Sequence, residues 1–464
     1  MDHSRKLGEA SIASLLLKFS VPAITGMLVQ AMYNIVDRIF IGRAVGSIGI
    51  AAVTVAFPVM LIMMAFGMLV GLGANSLISI NLGAGKKEEA EKILGNAVIL
   101  FVIISAGLSG FGLLFLDPLL KFFGASAAVL PYARAFTSVI LVGSIFQSFS
   151  FGMNNFIRGE GNPKIAMLTM LVGALLNVLL CPIFIFWLHM GIVGSALATV
   201  SAQMVSSLWV MYYFLGGSSV LKVRKKNLRL DRVIVLKIIA IGSAPFLMQI
   251  VASVLNAVMN NQLSIYGGDT AISAMGIIFS IMILFMMPIF GINQGIQPII
   301  GYNYGAKKFD RVKQTLQLGI LAASALTVTG FVVTRFFPEQ LIHMFSRNDA
   351  SLLAIGTHGM NLFLLMLPIV GFQIVSANYF QAVGKPKQAM FLSLARQLIF
   401  LIPALFILPR FYGLDGVWYA GPLSDFGSSV ITAIWLIMEL ANLKDKHHTQ
   451  NQAKAPEFQI SNPT

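Results

Sequence analysis

Asn81-Leu82-Gly83-Ala84-Gly85-Lys86-Lys87 and Asn303-Tyr304-Gly305-Ala306-Lys307-Lys308 are two copies of one phrase, 222 residues apart (303 minus 81) in a chain of 464. Two further pairs keep that offset to within a residue. Gly161-Asn162-Pro163-Lys164-Ile165-Ala166-Met167 matches Gly384-Lys385-Pro386-Lys387-Gln388-Ala389-Met390, and Gly191-Ile192-Val193-Gly194 matches Gly413-Leu414-Asp415-Gly416. Three collinear matches indicate an internal duplication. In a membrane protein such symmetry directs attention to a substrate site between the halves.

A membrane protein is what the composition describes. Apolar residues are 57% of the chain and charged residues 11%, against roughly 45–50% and about 25% in soluble domains. Runs such as 97–116, 165–188 and 316–337 are long enough for the ~20 helical residues that cross a hydrocarbon core. They are continuous rather than alternating, which indicates helices and not barrel strands. Twelve spans are expected, at 15–40, 48–80, 93–115, 132–157, 165–187, 191–214, 235–266, 270–303, 316–337, 354–382, 390–410 and 416–440. Six per half is an even number, so the repeats are parallel and related by an axis along the membrane normal.

Charge sets the expected orientation. Of 32 Lys and Arg, 25 fall in the N-terminal segment, the even-numbered loops and the C-terminal tail, leaving Arg38, Arg43, Lys121, Arg134, Arg335, Arg347 and Arg410 opposite. The positive-inside rule then puts both termini in the cytoplasm of a multi-pass inner-membrane protein. The net charge of +14 reflects this bias and attraction to anionic lipid, so no nucleic-acid partner is inferred. The first apolar stretch lacks a cleavage site of the signal-peptide kind. The single Cys181 excludes an intramolecular disulfide and a Cys-rich metal cluster.

The expected organisation is an N-terminal lobe over 1–217, a basic Gly/Ser-led linker over 218–234, a C-terminal lobe over 235–440 and a disordered polar tail over 441–464. The repeated Gly-Ala-Lys-Lys and Gly-x-Pro-Lys phrases have a structural explanation: Gly ends a helix, Pro opens the next, and Lys holds the loop inside. Gly83-Ala84-Gly85-Lys86 lacks the strand and spacing of a phosphate loop.

Acids inside spans are scarce, which makes each informative. Gln30, Tyr33, Asn34 and Asp37 stand at i, i+3, i+4 and i+7 and form one polar stripe on an apolar helix. Facing lipid it would be costly, so it belongs against a cavity or a protein partner. Pairing of Asp37 with Arg38 or interfacial water is the plainer alternative. Pro22 lies in the same helix, where it permits either a hinge or a fixed bend. Asn177 and Cys181 share a face of span 5, and Ser195, Thr199 and Gln203 form a polar row in span 6. Such oxygens beside a carboxylate suit a proton or a dehydrated Na+, although they also serve helix packing. The second half offers amides instead: Gln249, Ser253, Asn256 and Asn260 in span 7, Gln294 and Gln297 in span 8, and Gln373, Asn378 and Gln381 in span 10. Its well-placed acid is Asp425, either a second coupling site or an interfacial group. Met60, Met63, Met64 and Met68, and Met282, Met286 and Met287, fit promiscuous binding or ordinary packing equally.

The chain resembles the multidrug and toxic compound extrusion (MATE) family over nearly its whole length, most of all the MepA-type bacterial branch. The matching residues are Pro22-Ala23-Ile24, Gln30 to Gly42, Asn81 to Gly85, Arg158 to Lys164, Leu176-Asn177 and Gly191 to Thr199. The resemblance implies an all-α, V-shaped polytopic transporter of two six-helix lobes, exporting amphipathic organic cations against an H+ or Na+ gradient, with no other cofactor and as a monomer. It places the ion ligands at Asp37, Asn177 and Thr199, with Cys181 where relatives carry a second carboxylate. Some relatives also use acids in spans 7 and 10, where this chain has Gln249 and Gln373. A thiol of ordinary pKa near 8.5 stays largely neutral and is a poor Na+ ligand, which favours H+ through Asp37 over Na+ held by Asp37, Asn177 and Thr199. The expected cavity lining is Gln30, Tyr33, Asn34, Met60, Met64, Gln147, Gln249, Asn256, Met286 and Gln373, with Pro22 as hinge.

Two other classes fit the residues less well. A lipid-linked glycan flippase needs a cationic central cavity, whereas the basic residues here lie in the inner loops. A membrane enzyme needs clustered His, Asp or Glu, and His3, His189, His343, His358, His447 and His448 form no such set within the spans.

Overall fold

A computed structural model describes residues 3–216, 219–344 and 350–452. Among them every regular element is helical. Ten helices are long and apolar enough to cross a membrane, and two bent pairs bring the number to twelve.

In the first half, spans 1 to 3 are Ile12–Val45, Ser47–Gly83 and Lys87–Leu114. Span 4 is Leu130–Val142 with Ser144–Gly159, bent by 53°. Spans 5 and 6 are Pro163–Trp187 and Gly191–Leu215. The second half repeats the pattern with Arg232–Gly268, Thr270–Gly305, Phe309–Phe336, the pair Ala350–Phe363 and Leu367–Ala382 bent by 50°, Pro386–Tyr412 and Leu414–Ala441. The two bends occupy equivalent places, since 142 plus 222 is 364. At the first, Gly143 lies against Val200 so closely that a Cβ would collide with it.

Sequence reading and structure differ at the C-terminus. The tail expected to be disordered from 441 is helical as far as Gln452. Residues 441–452 contain neither Gly nor Pro, and the Leu, Lys and Gln among them are good helix formers, so nothing stops the helix at the membrane edge. The rest of that tail lies outside the described residues.

The two lobes meet along spans 1, 2, 7 and 8, and the meeting obeys the 222-residue symmetry. A Cβ on Gly83 would overlap the Tyr302 carbonyl oxygen, and one on Gly305 would overlap the Ile80 carbonyl oxygen. Gly305 is the repeat partner of Gly83, and Tyr302 of Ile80. The same holds for Gly73 against Gly242 and Gly295 against Ser20. On the axis itself, Asn75 Nδ2 donates to Gln297 Oε1 at 3.2 Å, and Gln297 Nε2 donates to Ser76 Oγ at 3.0 Å. All these contacts lie in the half of the spans nearest the basic loops. The V therefore closes at its basic face because backbones approach there with no side chains between them. Leu7, Ile12, Leu15 and Phe19 pack with Ile299 across the same joint, and Arg311 donates to the Leu7 and Ala10 carbonyls.

The inter-lobe linker lies against the first lobe. Ser219 Oγ donates to Glu160 Oε2 at 2.7 Å, and the Leu221 N–H reaches the same oxygen at 3.2 Å. Arg224 pairs with buried Glu91 at 2.8 Å. The Asp231 N–H donates to Asn96 Oδ1 at 2.7 Å, and Asp231 in turn caps span 7 through the Val233 N–H at 2.8 Å. Glu160 is fully buried, and burial pushes its carboxyl up to about 7, against the pull of its hydrogen bonds from Tyr213, Ser219 and the linker backbone.

Candidate ion site in the first lobe

Span 1 runs as one helix through Pro22, with no break at the expected hinge. Its C-terminal half carries Asp37 to the end of span 5 and the start of span 6. Cys181 Sγ donates to Asp37 Oδ1 at 3.0 Å, and Ser195 Oγ donates to the same oxygen at 2.8 Å. Asn177 Nδ2 donates to Thr199 Oγ1 at 3.0 Å, one turn away on each helix. All four partners are at least nine-tenths buried, while Asp37 itself is half-buried. Asn177 Oδ1 is buried with no hydrogen-bond donor among the described residues. Tyr33 is hydrogen-bonded to Gln30 and lies within the electrostatic reach of Asp37 on the same helix, and the stripe meets other helices at Asp37, through Cys181 and Ser195.

The four expected ion-site residues thus converge on one place. Ser195 is the residue that sequence reasoning leaves out of the set, although it stands in the same polar row as Thr199. Its position one turn before Thr199 is the available signal. The residues on Asp37 Oδ1 are neutral donors: they stabilise the ionised carboxylate and add no second negative charge. Among the described residues no three His, Cys, Asp or Glu side chains stand together as metal ligands would.

The expected cavity residues are scattered. Met60 packs on the core cluster that contains Cys181. Met64, Gln147 and Gln249 are half-buried, and Gln147 Oε1 has no hydrogen-bond partner among the described residues. Asn256 is exposed and turns its amide to its own helix at Ala252. Gln373 and Met286 are buried inside the second lobe. The Asn34 side chain lies outside the described residues.

Comparison with known proteins matches this geometry to a transporter family. The family model described as MatE matches twice, over residues 22–183 and 245–407, once per repeat. The chain belongs to the MatE family of multidrug and toxic compound extrusion transporters. Among curated relatives it is similar to the multidrug export protein MepA of Staphylococcus haemolyticus, 27% identical over 94% of this chain and 95% of that protein. MepA of Staphylococcus aureus strain MRSA252 is also 27% identical, over 88% and 90%. Among solved structures, the MATE multidrug transporter DinF-BH is 41% identical with a TM-score of 0.85, covering 92% of this chain and 95% of that one. A MATE in the bent conformation gives a TM-score of 0.90 at 25% identity, over 96% and 99%.

Proposed function

We propose that this protein is a proton-coupled antiporter that exports amphipathic organic cations by alternating access, seated in the cytoplasmic membrane with its basic face and both termini inside. The observation that carries the coupling ion is the set of donors around Asp37. Na+ needs several oxygen lone pairs at once. Here Asp37 receives a thiol and a hydroxyl as donors, an arrangement suited to holding a carboxylate that gains and loses one proton. A neutral thiol at Cys181 also leaves the site one negative charge short of a two-carboxylate cage, and soft sulfur is a poor ligand for a hard cation.

In this reading the closed joint at the basic face leaves the substrate path open to the outside. Substrate departs, an external proton binds Asp37, and the carboxyl becomes neutral. Cys181 and Ser195 then lose a charged acceptor, so the span 1 contact with spans 5 and 6 weakens and the lobes can rearrange. Coupling requires that protonation favour one conformation over the other. The family's multidrug relatives support the substrate class, and the positive-inside bias supports the orientation.

The test is purified protein in liposomes loaded with a fluorescent organic cation, with pH and Na+ gradients imposed separately. Efflux driven by the pH gradient, and lost in Asp37→Asn, is the expected result. Efflux driven by Na+ alone would overturn the proton assignment.

A further inference from the structure

The second lobe holds a buried acid and a cavity beside it. Arg396 Nε and Asp425 Oδ1 are 2.6 Å apart, with the Asp425 side chain 9% exposed and that of Arg396 26% exposed. At that distance the two form a buried ion pair. The pair borders a cavity of about 190 Å3 whose wall includes Met282, Met286, Phe290 and Phe363. At ~30 Å3 per water this is room for about six waters, the size of a small quaternary ammonium.

We propose that this cavity binds the charged group of a lipophilic organic cation, which takes the place of Arg396 against Asp425. The sign follows from the unequal reach of the two partners. Arg396 is long, the more exposed of the pair, and set in the π-helical stretch Ala395–Leu401, so it can swing its guanidinium away when displaced. Asp425 is short and buried, and has no such exit. An incoming anion would have to strand it without a partner, which is the costly way to break a buried pair. An incoming cation exchanges one positive charge for another and leaves the carboxylate compensated. The walls agree: aromatic faces and polarizable thioethers favour organic cations. An apolar pocket with a few convergent polar groups is also the usual form of a small-molecule site. The inference takes its substrate class from the proposed function but makes no use of Asp37.

Titration calorimetry of the full chain in lipid nanodiscs with tetraethylammonium tests it. Binding should weaken about tenfold or more in Asp425→Asn and survive in Asp37→Asn. It should tighten in Arg396→Gln, because the ligand no longer competes with an internal cation. Met286→Trp, which fills the cavity and leaves both charges, should weaken binding and serves as the readout if Asp425→Asn fails to fold. Unchanged binding in Asp425→Asn, weaker binding in Arg396→Gln, or no binding by the unmodified chain would overturn the proposal. Failure of proton-driven efflux to depend on Asp37 would count against the proposed function alone.

Discussion

Asn75 and Gln297 are repeat equivalents, 222 residues apart, and their side chains meet across the joint between the lobes at 3.2 Å. A residue and its own duplicate touch only on the symmetry axis, so this contact marks where the axis passes through the closed face. Opening that face must break this bond and the Gln297–Ser76 bond. Each is worth about 1 kcal/mol net, more if the amides stay dry. Cysteines at both positions, Asn75→Cys with Gln297→Cys in a Cys181→Ser background, should cross-link under oxidation. Transport should stop when they do and return on reduction.

The glycines around that axis set the balance between states. In Gly83→Ala the new methyl meets the Tyr302 carbonyl, and overpacking of this kind costs about 1–3 kcal/mol. The cost falls only on the state with this face closed. Accessibility of a cysteine placed in the joint should therefore rise from the basic side by about tenfold or more. Gly305→Ala, the symmetric change against Ile80, should give the same direction.

Restoring the absent carboxylate changes the ion. Cys181→Asp puts two acids on one site, so one of them holds its proton more tightly or both accept a cation between them. If the parent is proton-coupled as proposed, sodium-stimulated efflux should appear in this variant, and radioactive Na+ binding measures it directly. Cys181→Ala should leave proton-driven efflux largely intact, since it removes one neutral donor from Asp37 while Ser195 remains.

Glu160 links stability to pH. Its carboxyl sits at about 7 in the folded chain against 4.5 as its ordinary value. Between those values the folded state holds more proton than the unfolded state, so stability is greatest below pH 4.5, falls as pH rises and levels off above 7. The span corresponds to roughly 3 kcal/mol. Thermal unfolding in detergent from pH 5 to 8 should show this decline, and Glu160→Gln should flatten it.

Much of the architecture is legible in the sequence because its signals are long or repeated. Apolar runs and a 222-residue offset survive without any knowledge of contacts. The polar stripe ending at Asp37 is legible for the same reason, being periodic on one helix. What stays hidden depends on contacts between helices. Ser195 lies 158 residues from Asp37, and a serine in an apolar helix reads equally as packing. The bend in span 4 leaves no mark, because Gly143 looks like an ordinary span residue. That in span 10 has a mark in Pro368, the second residue of Leu367–Ala382, which offers no N–H to the carbonyl of Leu364, but a proline in an apolar run does not by itself tell a bend from a straight span. Gln373 and Met286 read as lining a central path, whereas the fold buries them within one lobe, because helix rotation is invisible in a uniformly apolar segment.

The docked linker has a mechanical consequence. A stretch that reads as a basic, Gly/Ser-led linker is pinned at Ser219, Leu221, Arg224 and finally Asp231, immediately before span 7 begins at Arg232. Almost no slack remains between the lobes, so the closure entropy of a loose connection is spent once, on folding, and not in every transport cycle. With a leash that short the lobes cannot drift apart. In the proposed alternating-access cycle, this docking favours a pivot about the start of span 7, like a pair of jaws with a fixed pin.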